Sequence, residues 1–425
     1  MWGPDDDFRW AWLGSLMQHP YGAGLRIAPR ELLPWSVWMA RRVLRAAKHF
    51  LLRPFDALGL NRLRIMRVIW VKDRIGKEVV GYSVLHKAQV VDISQQRDAD
   101  FLPACKHYSS GLLSLPESFV CEVSPALYYP ELGLVANEGF EVFGDSVLLP
   151  HRFHLSLAYR RLRPLRVDYK AGPISSIQRI DAYNFWHWMA DCLPQLLTLE
   201  RHMNGARLTL LASDELGKFQ RETLSLMLPP NMNLEYVRAR TWIKTDRFVL
   251  PSYLSGRCNG YLPEDLYAEI RRRITAGLGI DASAPANLRI YLSRSTAKRR
   301  RVANEAAVTK CLSQFGFLEV KPEALSMREQ IDLFQRAEVI VGPHGAALGA
   351  IVFAPRAKVL VLYPERNPGE YFYTMARRLG IEHYGLLHDH VGEEDDVEDF
   401  EVNVAAMQSK LQGEMRLQKR TVLPA

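Results

Sequence analysis

The chain has 425 residues, of which 48% are hydrophobic and 24% are charged, and its formal net charge is +8. This composition is that of a globular protein, and it excludes a mostly disordered, collagen-like or coiled-coil chain. The length predicts two or three domains, because a single hydrophobic core rarely grows past roughly 250 to 300 residues.

Positive charge is unevenly distributed along the chain. Residues 389–401 contain eight acidic side chains and no lysine or arginine, so without these eight acids the balance of +8 becomes +16 for the rest of the chain. A surface this basic favours anionic partners such as nucleotides, nucleic acid or acidic lipid. Charge alone does not choose among these classes.

Cysteine usage and hydropathy restrict the class of protein further. The five cysteines are scattered and include no Cys-x-x-Cys pair, which argues against a disulfide framework or a zinc ribbon and favours a reducing compartment. No apolar run reaches the roughly 20 residues of a membrane-spanning helix, and the first residues lack the pattern of a signal peptide. We therefore expect a soluble or peripheral protein.

The first 62 residues predict a basic helical extension. Residues 1–76 hold 13 lysines and arginines against six acids. A helix is predicted at 35–52, and its basic side chains share one face; they are Arg41, Arg42, Arg45 and Lys48. Such a helix either lies in a membrane interface or packs on the core of the protein itself.

Strands and helices alternate after this extension. Predicted strands cover 63–71, 206–213, 233–239, 286–294, 337–342 and 358–364, and predicted helices lie near 215–227 and 326–337. Strands separated by helices predict parallel sheets. We expect two Rossmann-like domains, at 63–250 and 265–400, that face each other across a ligand-binding cleft, followed by a helical tail at 401–425.

The first segment suited to catalysis spans 184–194. Asn184 is a suitable helix N-cap, and His187 and Asp191 are then spaced i and i+4 on one helical face. A carboxylate beside an imidazole among aromatic residues is suited to general base catalysis. The same pair also fits a buried polar contact that only fixes a core helix. A metal site is disfavoured, because no third ligand stands nearby.

The second segment is strongly basic and follows a predicted strand. Six of the residues in 289–301 are lysine or arginine and none is acidic. Arg294 stands at the carboxyl end of the strand, where a guanidinium can bind phosphate oxygens in a bidentate way. A solvated basic loop is the alternative, and nucleic-acid binding is less favoured because no aromatic residues are interleaved for stacking. Asn304 and Glu305 begin a helix that can bring a carboxylate toward ribose hydroxyls.

The third segment, 339–349, is a strand that runs into a turn of small residues and then a helix. Its glycines fit neither the dinucleotide-binding nor the Walker pattern. Small residues still allow a pyrophosphate to approach backbone N–H groups at a helix start, and His344 can donate a further hydrogen bond. A tight strand-to-helix turn without a ligand is the alternative.

Taken together and in this order, the three segments resemble glycosyltransferase family 61. The resemblance covers roughly 180–365 and is carried by NFWHWMADCLPQLL, YLSRSTAKRRRVANE and EQIDLFQRAEVIVGPHGAALGAIVFAP. It implies a GT-B architecture, with an acceptor domain at 63–250 and a nucleotide-sugar domain at 265–400. It further implies an inverting transfer from a UDP-linked sugar with no metal and no cofactor.

The resemblance also implies partners and location. The expected acceptor is a glycan or a lipid-linked glycan in the synthesis of a bacterial cell-surface polysaccharide such as a capsule. The expected location is cytoplasmic and peripheral on the inner membrane, with 35–52 as the membrane contact, and nucleic acid is not an expected partner.

The resemblance assigns roles to individual residues. Asp191 is the expected catalytic base and His187 its neighbour. The expected donor-binding residues match the basic, Asn-Glu and His-Gly-Ala elements of the family; they are Arg294, Arg300, Asn304, Glu305, His344, Gly345 and Ala346.

The chain departs from the family pattern at two places. Gly349 and Ala350 stand where the family usually has Thr-Asn, and Val361 stands where the next strand usually carries a glutamate. These departures support an alternative function, a nucleotide-sugar-binding scaffold of a polysaccharide synthesis complex that has lost transfer.

Overall fold

A computed structural model describes residues 67–94, 101–105, 110–147, 167–254, 260–365, 368–388 and 399–420. The basic helix expected at 35–52 and the acidic residues 389–398 lie outside these ranges, so both expectations stay predictions.

The described residues form nineteen strands and eight α-helices. The strands are β1 (Val68–Ile69), β2 (Val79–His86), β3 (Gln89–Asp92), β4 (Leu112–Leu115), β5 (Ser118–Val123), β6 (Ala126–Tyr129), β7 (Leu134–Ala136), β8 (Val142–Phe143), β9 (Val167–Tyr169), β10 (Pro173–Ser175), β11 (Leu208–Ser213), β12 (Met232–Val237), β13 (Trp242–Thr245), β14 (Arg247–Pro251), β15 (Leu288–Leu292), β16 (Phe317–Val320), β17 (Ala337–Pro343), β18 (Lys358–Pro364) and β19 (Glu382–His388). The helices are α1 (Phe185–His187), α2 (Leu193–Met203), α3 (Lys218–Met227), α4 (Glu264–Gly277), α5 (Glu305–Ser313), α6 (Met327–Gln335), α7 (Tyr371–Leu379) and α8 (Val404–Gln412). A π-helix (Trp188–Cys192) joins α1 to α2, and a 3-10 helix (Ala346–Phe353) follows β17.

Two larger sheets position the segments singled out above. The N-terminal sheet has the order β12-β11-β10-β14-β5-β2; its first four strands run parallel, and β5 and β2 are antiparallel to their neighbours. The C-terminal sheet, β16-β15-β17-β18-β19, is parallel throughout. A third, mixed sheet has the order β1-β8-β7-β6-β13-β9, and β3 pairs with β4.

The apolar runs read from the sequence form the central strands of the C-terminal sheet. In β18, all residues from Val359 to Pro364 are buried, as expected for a parallel strand covered on both faces. The helix α6 that precedes β17 begins with a capping box, in which Ser326 Oγ accepts from the Glu329 amide and Glu329 Oε2 accepts from the Ser326 amide.

The predicted α/β alternation is confirmed from residue 206 onward. Strands 206–213, 233–239, 286–294, 337–342 and 358–364 appear as β11, β12, β15, β17 and β18. Three differences remain. Of the strand expected at 63–71, the described part from residue 67 onward contains only β1, the helix after β17 is of the 3-10 type, and the antiparallel strands β2 to β8 were not predicted.

Hydrophobic packing runs through both larger sheets. Residues 65–425 form one compact unit. One cluster of buried side chains includes Leu210 and Val249 of the N-terminal sheet together with Ile340 and Val361 of the C-terminal sheet. The fold is therefore mixed α/β, and its division into two facing GT-B domains stays a prediction. Within the described ranges, no helix is both long and apolar enough to cross a bilayer.

Parallel pairing brings two of the sequence segments to one sheet edge. Tyr291 of β15 pairs with Val341 of β17. The residues that follow these strands, Arg294 and His344, therefore leave the same edge of the sheet. Ligands bind at such carboxyl ends in open α/β sheets.

Candidate active site

The first segment forms a helical turn with a buried acid–base pair. Asn184 is the N-cap, as predicted, and its Oδ1 accepts from the Trp186 amide at 2.9 Å. His187 Nδ1 lies 2.7 Å from Asp191 Oδ2. The Asp191 side chain is 3% exposed and that of His187 is 20% exposed. Of the two side chains, the imidazole is therefore the more open to solvent.

The π-helix that carries Asp191 is held by a buried arginine. Gln195 Nε2 donates to the Asp191 carbonyl at 2.6 Å, and Gln195 Oε1 accepts from Arg179 Nη2. Arg179 also donates to the carbonyls of Gln178 and Pro251, each at 2.9 Å. The arginine thus ties the ends of β10 and β14 to the turn of His187 and Asp191. Helical turns of the π type recur at functional sites.

A second carboxylate, which the sequence reasoning missed, precedes this turn: the Asp181 carbonyl accepts from the Asn184 amide at 2.9 Å. The buried Oδ2 of Asp181 has no hydrogen-bond donor among the described residues. Burial raises the pKa of Asp181 to about 6, while the charge of His187 opposes this rise and that of Asp191 adds to it. No motif marks Asp181 in the sequence, because its role depends on the loop that precedes α1.

The two carboxylates act together on His187. Burial lowers the pKa of His187, but the hydrogen bond that His187 donates to Asp191 and the charges of Asp191 and Asp181 outweigh this effect. The net result is a pKa above the usual range of histidine. The imidazolium form is therefore favoured relative to an ordinary histidine.

The second segment folds its basic loop around one guanidinium. Arg294 donates from Nη2 to the Arg299 carbonyl at 3.0 Å and from Nε to the Arg300 carbonyl at 3.3 Å. Arg300 has a left-handed backbone conformation, with φ of 55°, which is uncommon for a residue with a side chain. Its Nη1 reaches His344 Nδ1 at 3.1 Å. The basic loop therefore closes over the third segment.

His344 is neutral and its tautomer is defined by this contact. Burial, followed by the charges of Arg300 and Arg294, holds the pKa of His344 well below its usual range. Arginine has no acceptor, so His344 Nδ1 accepts from Arg300 and Nε2 carries the proton. The imidazole can therefore donate a hydrogen bond next to two positive charges.

Two glycines make room for this arrangement. A Cβ on Gly345 would overlap the guanidinium of Arg294. Gly369 has φ of 51°, and a Cβ there would overlap the His344 ring. Close approach of Arg294 and His344 to the backbone thus depends on glycine at both positions.

Aromatic rings join the acid–base turn to the arginine and histidine cluster. The Phe372 ring lies 4.8 Å from the Trp186 ring and 5.1 Å from the His344 ring, edge-on in both cases. A Cβ on Gly349 would lie 3.3 Å from the Cα of Trp186, so the 3-10 helix approaches α1 closely. The structure therefore brings the first and third segments into one region.

Other predicted site residues have structural contacts. Glu305 begins α5, as expected, and its Oε1 accepts from Tyr291 Oη at 2.9 Å and from the Arg294 amide at 3.2 Å. Asn304 bonds the backbone of Val402 through both side-chain atoms. Direct contact of Asn304 and Glu305 with a donor stays a prediction, as does that of Ala346, the first residue of the 3-10 helix.

The basic run of 289–301 divides into groups with different contacts. Arg289 is buried and bonded to Glu338 at 2.7 Å. Arg301 is paired with Asp399 at 2.8 Å. Arg294 and Arg300 are the two that converge on the turn at His344. The number of basic side chains that converge on this turn is therefore smaller than the six counted in the sequence. No group of three histidine, cysteine or acidic side chains suited to a metal ion occurs in the described residues.

Comparison with known proteins gives one family. Residues 185–361 match the model of the family Glycosyltransferase 61, and this range contains the three segments described above except for Asn184. No curated protein matches the chain. Activity of this kind implies a sugar donor and a glycan acceptor in general. The match spans less than half of the chain and supports glycosyltransferase activity for this protein.

Proposed function

We propose that this glycosyltransferase transfers a sugar from a UDP-linked donor, with inversion of configuration and without a metal ion, to a glycan or lipid-linked glycan. The observation that carries the proposal is the cluster of Arg294, Arg300 and a neutral His344 at one sheet edge. The Phe372 ring joins this cluster to the turn that holds His187 and Asp191. The first group suits a diphosphate, and the second suits removal of a proton.

The reaction is a single displacement. The acceptor oxygen attacks the anomeric carbon from the face opposite the diphosphate, while the acid–base pair removes the acceptor proton. The departing diphosphate gains negative charge, which Arg294, Arg300 and the protonated Nε2 of His344 stabilise. The loss of one such preorganised donor typically costs on the order of 3 kcal/mol in the barrier.

The proposed architecture is a GT-B arrangement in which both groups border one cleft. An acceptor domain at 63–250 carries the acid–base turn, and a nucleotide-sugar domain at 265–400 carries the arginine and histidine cluster. The setting we propose is bacterial cell-surface polysaccharide or capsule synthesis at the cytoplasmic face of the inner membrane, with the 35–52 helix as the membrane contact.

A panel of nucleoside diphosphates and nucleotide sugars tests the donor class. We expect UDP and UDP-sugars to raise the melting temperature, with the same shift in EDTA. A shift confined to other bases would contradict the UDP assignment, and a shift abolished by EDTA would contradict metal independence.

The substitution Asp191→Asn tests the catalytic turn. We expect transfer to fall by on the order of 10⁴, because the imidazole loses the carboxylate that fixes its tautomer, while the affinity for UDP stays within about twofold. Transfer assays and calorimetric titration measure the two effects. Near wild-type turnover would contradict the assignment.

A scaffold without transfer activity is the second candidate. Val361 is fully buried in the core, and β18 therefore offers no carboxylate at the position where the resemblance to the family leads us to expect a glutamate. Transfer or donor hydrolysis with any acceptor would eliminate this candidate.

A further inference from the structure

A carboxylate and an imidazole are bonded in the turn of His187 and Asp191, and a second carboxylate, Asp181, directly precedes this turn. Asp191 is almost completely buried and its Oδ2 is bonded to His187 Nδ1. The imidazole is partly exposed. Because the carboxylate accepts from Nδ1, that nitrogen carries the proton and the lone pair of the imidazole resides on Nε2.

The surroundings restrict which charges act on His187. The 3-10 helix Ala346–Phe353, which packs on this turn, has no ionisable side chain. The residues that act on the imidazole charge are the carboxylates of Asp191 and Asp181. Asp181 Oδ2 is buried and lacks a donor among the described residues, so it costs stability when ionised.

On the basis of the proposed transfer reaction, we infer that His187 Nε2 is the group that receives the acceptor proton. Asp191 then orients the imidazole through Nδ1, and Asp181 is a positioning residue whose charge stabilises the imidazolium. This assigns the base to His187 in place of Asp191 and adds Asp181 to the site. The arrangement resembles the acid and histidine of a catalytic triad, with a second carboxylate.

The step balances as follows in atoms and electrons. The acceptor oxygen forms a bond to the anomeric carbon, and the bond between that carbon and the diphosphate oxygen breaks. The diphosphate keeps the electron pair of the broken bond. The acceptor proton passes to His187 Nε2 and is released to water before the next turnover.

Chemical rescue tests the identity of the base. We expect His187→Gly to lose transfer. Added imidazole should raise the residual transfer rate of this variant at least tenfold, because free imidazole can occupy the vacated space. UDP affinity within about twofold of wild type shows that the variant is folded. No rescue in a variant that still binds UDP would overturn the role of His187.

The pH dependence of kcat/KM tests Asp181. With Asp181→Asn, we expect the acidic limb to move to lower pH, because His187 loses one of the charges that raise its pKa. The exposed Asp265, paired with Arg201, provides the matched control Asp265→Asn, for which the limb stays in place. An unmoved limb in Asp181→Asn would overturn the positioning role.

Thermal stability tests the same carboxylate without any transfer assay. A buried acid with a raised pKa destabilises the folded state most above that pKa, and this destabilisation declines as pH falls from about 6 toward the ordinary value of 3.8. We expect Asp181→Asn to raise the melting temperature at pH 8 and to raise it less at pH 5. A lower melting temperature at pH 8 would indicate a purely structural carboxylate and overturn the inference. If the wild-type protein transfers no sugar, the proposed function fails, and this measurement still decides the role of Asp181.

Discussion

At the scale of single residues, the site depends on close approaches that only particular side chains allow. Gly345 has an extended backbone that any residue can adopt, so its importance is steric. The Arg294 guanidinium occupies the space that a Cβ on Gly345 would need. The missing side chain thus sets where the positive charge lies relative to His344.

The substitution Gly345→Ala should displace Arg294 and weaken UDP binding about tenfold or more. The stability loss should stay below about 1 kcal/mol, because the displaced atoms are the end of a flexible side chain. Calorimetric titration and denaturant unfolding measure the two effects. In an Arg294→Ala background, the same change should cost no further affinity. An equal loss in both backgrounds would contradict the steric explanation.

At the scale of elements, the catalytic turn is fixed by its connection to two strand ends. Arg179 is 2% exposed and donates to two carbonyls and to Gln195, whose amide bonds the Asp191 carbonyl. A buried guanidinium that bonds several neutral acceptors is costly to replace, because each acceptor left unpaired costs about 1–3 kcal/mol.

We expect Arg179→Met to lower the free energy of unfolding by about 3 kcal/mol or more. Denaturant unfolding measures the change. Arg240, a surface arginine 62% exposed and paired with Glu131, gives the control Arg240→Met, which should cost less than about 1 kcal/mol. A similar small loss for both variants would contradict the role of Arg179.

At the scale of the whole molecule, the positive charge has two separate locations. One is the turn formed by Arg294, Arg300 and His344. The other is the sequence of residues 1–76, which lies mostly outside the described ranges and includes the predicted basic helix at 35–52. Only the first location has structural support, and the second is a proposal about membrane contact.

Vesicle co-sedimentation tests this proposal on the full chain. Four glutamine substitutions remove the charges of the predicted helix, at Arg41, Arg42, Arg45 and Lys48. Each basic residue near an anionic surface contributes about 1 kcal/mol, so we expect the affinity for phosphatidylserine vesicles to fall at least a hundredfold. The control replaces four exposed basic residues outside 1–76, namely Arg207, Lys218, Arg272 and Arg328. An equal loss in the control would contradict a dedicated membrane helix.

The sequence predicted the parts of the fold that depend on local patterns. Continuous apolar runs predicted β11, β17 and β18 because parallel strands covered on both faces bury every side chain. The antiparallel strands β2 to β8 were not predicted, because the shorter ones offer too few residues for a clear pattern. The His187–Asp191 contact was predicted because i and i+4 residues share a helical face.

Local sequence by itself therefore determined several strands from residue 206 onward, the Asn184 helix cap, the acid–base pair and the resemblance to a glycosyltransferase family. Tertiary structure decided which of the basic residues converge on His344, how Asp181 joins the pair, and why the imidazole is more open to solvent than the carboxylate. The physical reason is that burial and charge coupling depend on distances between residues far apart in sequence. Spacing along the chain does not record these distances.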